Sequence, residues 1–452
     1  MNLVRTLGLD APLGSRAAFL STPRPTADAV PLPGPASDGF TRQASDAPLA
    51  RGPRFSGAVA EAVPTGLPTA DRGVAPAVAG SLAGGVPGAV ATQAMPSGDL
   101  QPVSPKVASA VAAQASGVAG AAEQLGALSP SERDGFMRVA EKLFDPGLTF
   151  FRKAGTSPEL MALLASGRLH DTDTRGATLL DNLVTMATQP LAKGFDSAWL
   201  RGQMIGQLVT QTANPDRIEQ GAQGTCTATT IQWGLATHAP AEYARLVSGL
   251  LQPEGVVAMR SGAMLERPAG IHMNDSSGRA EVSRVFQAAV MDYANGPLVH
   301  YDNYTDLNRP LQASEEARNG VHKGLFQWEV KGALEALTPH RYECPTFRDV
   351  PAERAEMRAR VSSASPDQTL PVILRWSTPK PNEFGLHMLA LEKIDDQYAW
   401  LRNPQGTVEE GLQGDPALDL PSREAVGAAG SGHIRMPIDT FFDRLQIYFA
   451  PK

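Results

Sequence analysis

Gln220-Gly221-Ala222-Gln223-Gly224-Thr225-Cys226 is the stretch on which the reading of this chain turns. It has the form Q-G-x-x-G-x-C, and behind it Ala228, Ile231, Gln232 and Leu235 recur at helical spacing. Cys226 therefore opens an amphipathic helix. The N-terminus of a helix places about half a positive charge beside such a sulfur. With a cationic imidazole nearby, a thiol there has its pKa drawn from about 8.5 to as little as about 3.5. The two glycines allow a tight turn between Gln220 and Cys226.

Partners for a nucleophile lie near the C-terminus. Gly385-Leu386-His387-Met388-Leu389-Ala390-Leu391 begins a predicted strand with a histidine, and Arg402-Asn403-Pro404-Gln405-Gly406 ends the next one with an asparagine. Two antiparallel strands joined by a short turn put His387 and Asn403 side by side. The Asn carbonyl then accepts from the imidazole and sets its tautomer and tilt. Asp395-Asp396, after the histidine strand, reads as a turn and is the fallback orienting group.

These segments, in this chain order, resemble the active-site segments of papain-like cysteine peptidases. R-N-P-x-G is closest in form to the calpain branch, as is the ending His433-Ile434-Arg435-Met436-Pro437-Ile438-Asp439-Thr440-Phe441-Phe442. The resemblance implies an α+β, two-lobed fold with a helical lobe and an antiparallel β lobe. It also implies a Cys226, His387, Asn403 triad, with the Gln220 side chain and the Cys226 N–H holding the oxyanion. A protein or peptide amide is the implied substrate; no cofactor and no metal are expected, and no calcium site carries over. Thr227 and Gln405 stand where the family has tryptophans, the second of which shields the Asn–His hydrogen bond. Deamidation, transglutamination or acyl transfer by the same triad, and a binding or scaffold role with little catalysis, remain open beside peptide hydrolysis.

Outward from the site, helices are expected at Ser129-Pro130-Ser131-Glu132 and Ser157-Pro158-Glu159, each a cap followed by proline and glutamate. Further helices are expected over 178–188 and 196–212, from Pro240, and through Val282, Phe286 and Tyr293 to Asn295-Gly296. A hairpin is expected over 254–266, and strands over 371–376, 387–393, 398–402 and 433–436. The implied domains are a disordered tail (1–128) whose closing Ala-rich run is an optional, marginal helix, a helical segment (129–214) that is propeptide-like, a recognition lobe or part of the left lobe, and a catalytic domain (215–452). Residues 255–370 match nothing by resemblance.

Composition bounds the rest. The chain has 452 residues, 40 Lys+Arg, 47 Asp+Glu and two cysteines. Residues 1–128 hold 15 of the 37 prolines but only three aromatics, too little apolar bulk to offset the entropy of ordering. Cys226 and Cys344 are too few for a disulfide scaffold or a cysteine zinc site, and Cys344, without a glycine turn or helix start, reads as an inert thiol. A net charge of −7 without a basic run argues against nucleic acid as a partner. No apolar run reaches the ~18–20 residues of a membrane span. Asp10, Pro12, Gly14 and Ser15 interrupt any cleavable signal peptide. The tail points to delivery by a specialised bacterial secretion machine, or to a flexible extension on a cytoplasmic enzyme.

Overall fold

Val107, Val111 and Ala115 recur every four residues through the Ala-rich run before Leu128 and mark one narrow helical stripe. In the structure, a computed structural model, this run forms α1 (Pro105–Ser116) and α2 (Ala121–Ala127), with Val107, Val111, Ala115 and Ala121 buried. The structure describes residues 102–144, 156–310, 324–363, 370–377, 384–406, 424–425 and 432–452, all within one compact unit, Gln93–Lys452. The expected tail over 1–128 therefore ends too late. Residues 105–127 belong to the folded body, because small side chains let two helices approach closely without the bulky apolar groups that composition counts. Residues 1–101 lie outside the described residues, as does Asp145-Pro146-Gly147, whose turn-forming sequence is expected to stop the helix that begins at Ser129.

Next come α3 (Pro130–Phe144), α4 (Thr156–Ala165), α5 (Leu179–Thr188) and α6 (Ala198–Ala213). The start of α3 is closed by Ser129: its N–H donates to Glu132 Oε2 (2.8 Å), and its hydroxyl accepts from the Glu132 N–H (3.3 Å). Thr178 and Asp181 cap α5 in the same reciprocal way. A 3₁₀ turn (Pro215–Arg217) leads into α7 (Cys226–His238) and α8 (Pro240–Leu251), then the hairpin of β1 (Val256–Ala258) and β2 (Met264–Glu266), then α9 (Glu281–Asn295). Phe136, Leu183 and Leu208 share one buried core with Ile231, Leu246 and Val285. Residue 214 is thus no boundary in the packing.

The second half adds the pair β3 (Val299–Asp302) and β4 (Leu307–Pro310), α10 (Gln327–Leu337), β5 (Tyr342–Glu343) and α11 (Pro351–Ser363). It continues with β6 (Leu370–Ser377), β7 (Phe384–Ile394), β8 (Tyr398–Arg402), β9 (Glu424–Ala425) and β10 (His433–Pro437). Last come α12 (Ile438–Arg444), β11 (Leu445–Tyr448) and β12 (Ala450–Pro451). Six of these strands form an antiparallel sheet in the order β11-β6-β7-β8-β10-β9. Alternation along β7 covers both faces: Met388 and Ala390 enter the helical core, while Leu389 and Leu391 enter a second core with Met357, Phe441 and Phe442. A helical first half and a stranded second half make the fold α+β, as expected. No helix among the described residues is long and apolar enough to cross a membrane.

Candidate functional site

Strand register sets one half of the site. β6 and β7 pair Leu374 with His387, and β7 and β8 pair Ala390 with Arg402, so His387 and the residue after β8 meet at one end of the sheet. His387 Nε2 lies 2.8 Å from Asn403 Oδ1, and both residues are buried. The Gln405 N–H also donates to that Asn403 atom, at 3.1 Å. A backbone N–H needs an acceptor, so the atom is the amide oxygen, Nε2 carries the imidazole proton, and Nδ1 is left as the basic nitrogen. Trp376, two residues beyond the partner of His387 on β6, packs its ring 4.9 Å from the imidazole centroid at 46° and is itself buried. Aromatic cover of this pair thus comes from β6, while position 405 carries glutamine.

The other half is the loop before α7. The sulfur of Cys226 accepts from the Met388 and Thr227 backbone N–H groups and from the Thr227 hydroxyl. Met388 follows His387 on β7, so thiol and imidazole sit one residue apart along that strand. The Thr230 hydroxyl reaches the Met388 carbonyl at 3.5 Å, one turn further along α7. Gln220 is buried, and its Nε2 donates one hydrogen to the Gln223 carbonyl at 2.7 Å, leaving the second donor of the amide. The Gln220 N–H donates to the Pro404 carbonyl at 2.8 Å, which joins the loop to the turn beyond Asn403. Arg402 reinforces that joint from the interior, donating to the carbonyls of Asp216 (3.0 Å), Ile218 (2.7 Å) and Asn403.

Residues that nothing in the sequence singled out hold this loop. Gly221 has φ +58° and a Cβ there would overlap the Ser277 carbonyl oxygen, which accepts the Ala222 N–H at 3.2 Å. Both carboxylate oxygens of Asp306 lie 2.9 Å from the Gly224 nitrogen. Thr225 gives its hydroxyl to Gln287 Oε1 (2.8 Å), and Arg279 donates to that oxygen (2.7 Å) and to Thr225 (3.2 Å). Arg279 is paired with Asp275 at 2.6 Å, both side chains fully buried. Burial alone would raise the Asp275 carboxyl, but hydrogen bonds from Ser277 and the Arg279 charge hold it below the ordinary carboxylate range. The non-glycine residues with positive φ among those described, Ser276 (57°) and Asp306 (58°), both flank this loop. No motif marks these groups, because their partners are ~50–80 residues away and act by polar contact rather than spacing.

The thiol departs from expectation. Burial pushes Cys226 up, and the negative charge of Asp306 adds to it; the N–H groups of Met388 and Thr227 and the Thr227 hydroxyl oppose both without prevailing. Cys226 is half-buried, and its sulfur sits in the seam between α7 and β7, where lost solvation opposes the effect of the helix start.

All the residues expected of the site, Gln220, Cys226, His387 and Asn403, are gathered in this seam. Asp395 is committed to its own turn, accepting from the Gln397 and Tyr398 N–H groups and from Trp400 Nε1 at 3.0, 2.7 and 2.7 Å. Cys344 is half-buried against the helical core. His433 lies between Asp216 (3.0 Å from Nε2) and Glu392 (2.9 Å from Nδ1), with both ring nitrogens occupied. The hydrogen bonds to Asp216 and Glu392 raise its pKa to about 9 despite burial. Burial would raise Asp216, but His433, Trp233 and Arg402 keep it below the usual carboxylate range. No cluster of three or more His, Cys, Asp or Glu among the described residues is arranged to hold a metal. A separate cavity of about 270 Å³ lies toward the far end of α7, between His238, Glu242, Leu337 and Tyr342. Its Glu242 already accepts from Thr174 and Arg245. Comparison with known proteins found no matching family model and no matching characterised sequence.

Proposed function

We propose that this protein is a papain-like cysteine hydrolase acting on a protein or peptide amide. The observation that carries the reading is the His387 Nε2 to Asn403 Oδ1 bond, set one residue from the N–H that touches the Cys226 sulfur. In the proposed cycle His387 Nδ1 takes the Cys226 proton as the sulfur attacks the carbonyl carbon. The free hydrogen of Gln220 Nε2 and the Cys226 N–H hold the oxyanion. His387 then gives its proton to the leaving amine, and in the second half activates the water that releases the acyl group. Asn403 keeps Nδ1 facing the sulfur throughout.

The test is a peptide library with trapping of the acyl-enzyme by mass spectrometry. Cleavage, deamidation or amine transfer by the wild type, absent in Cys226→Ala, supports the triad and identifies the resolving nucleophile. Equal product from both proteins refutes it. The burial-raised thiol favours a second reading, a binding protein that keeps the fold with an idle sulfur; ordinary alkylation near pH 8.5 together with no turnover would select it. Delivery to another cell through residues 1–100 is tested by deleting them, with loss of export in a protein that still folds as the expected result.

A further inference from the structure

Asp306 is 7% exposed and 82 residues beyond Gly224 in sequence, and yet its carboxylate faces the nucleophile loop directly. Both oxygens lie 2.9 Å from the Gly224 nitrogen, and Oδ1 also accepts the Tyr301 hydroxyl at 2.9 Å. Its backbone is held at φ +58°, a conformation that an L-residue keeps only where its surroundings impose it. A neutral carbonyl oxygen would serve the Gly224 N–H as an acceptor just as well. The carboxylate adds a full negative charge two residues upstream of the sulfur, at a helix start that otherwise favours anions.

We propose that Asp306 is a positioning residue with two effects: it clamps the Gly224 amide so that the Gln220–Cys226 turn keeps its shape, and it sets a negative charge beside the helix start of the nucleophile that works with burial against a resting thiolate. This rests on the reading of Cys226 as nucleophile. Proton transfer from sulfur to His387 Nδ1 then accompanies attack instead of preceding it, and the resting sulfur is protected from alkylation and oxidation. Asp306 touches no reacting atom. Other charged or titratable groups around the loop are His387 on β7, Glu219 and Arg402 at its start, Tyr301 on Asp306, and Asp275 with Arg279 and Arg284 behind Thr225; none needs to change for the effect.

The test follows the rate of Cys226 alkylation by iodoacetamide from pH 5 to 10, with Cys344→Ser as background. In Asp306→Asn, which retains an acceptor for Gly224 and tolerates positive φ, the profile moves down by about one pH unit. Tenfold more thiolate is offset about threefold by its lower nucleophilicity, so alkylation at pH 7 rises about threefold. Tyr301→Phe, which removes a hydrogen bond but no charge, leaves the profile in place. An unmoved profile in folded Asp306→Asn, or an equal shift in Tyr301→Phe, overturns the proposal. So does a wild-type profile well below about 8.5, which needs no variant to fold. The readout uses no substrate: a shift without any turnover would sustain Asp306 while removing the hydrolase reading.

Discussion

The Gln220–Cys226 turn and the His387/Asn403 pair reach the same seam by different physical means. His387 and Asn403 are placed by backbone pairing: once Leu374 faces His387 and Ala390 faces Arg402, sheet geometry carries both side chains to one end of β7 and β8. The turn has no such ladder. Its N–H groups at Ala222 and Gly224 go to Ser277 and Asp306, and its Thr225 goes to Gln287, all on segments arriving from residues 275–306. A sheet tolerates side-chain changes that leave its register intact, whereas a turn held by a buried polar network depends on each member.

The largest effect on this contrast comes from Arg279→Ala. It breaks a fully buried ion pair, leaving Arg284 as the remaining cation on Asp275, and removes the support behind Thr225; a loss of about 3 kcal/mol in urea unfolding is expected, the low end for a broken buried pair because Arg284 still faces the carboxylate. A change below 1 kcal/mol would show that the network does not hold the turn. Gly221→Ala comes next: the left-handed backbone alone costs on the order of 1–3 kcal/mol, and overlap with the Ser277 carbonyl adds to it. Thermal unfolding measures this, and an unchanged midpoint would mean that the turn relaxes freely.

On the sheet side the expected effects are milder. Trp376→Phe keeps an aromatic ring near His387 but uncovers part of it, so exchange of the His387 Nε2–H, followed by NMR, should quicken by about tenfold while β6–β7 pairing persists. Unchanged exchange would assign Trp376 to the core alone. The smallest and most conditional effect is that of His433. Its pKa of about 9 exceeds the free value, so the stability it confers is complete below about pH 6.5 and fades as pH rises through about 9. His433→Gln should flatten that alkaline decline in unfolding midpoint, and an identical slope in both proteins would contradict it.

Legibility followed the same division. The helix over 226–238, the four strands around His387, and the cap at Ser129 could be read because periodicity and capping are local. The His387–Asn403 contact was legible as well, since a short turn between adjacent strands leaves little freedom. Trp376 was not, as its nearness to His387 depends on the diagonal step from β6 to β7. The Ala-rich run of α1 and α2 was legible only as an optional, marginal helix, because its alanines and valines bury little area each and gain their stability from close packing on later helices. The raised Cys226 thiol went against its helix-start position because desolvation in the seam outweighs the dipole.

By itself, the sequence determined the alternation of elements, the helical and then stranded halves, and the chemical types at positions 220, 226, 387 and 403, because these depend on neighbours within a few turns or along one strand. Only the tertiary structure decided that residues 105–144 and 156–214 share a core with α7, and that Asp306 and Arg279 stand behind the nucleophile loop. It alone also decided that the thiol rests in a partly buried seam. Those facts depend on contacts across many tens of residues, where burial and charge, not spacing, set the outcome.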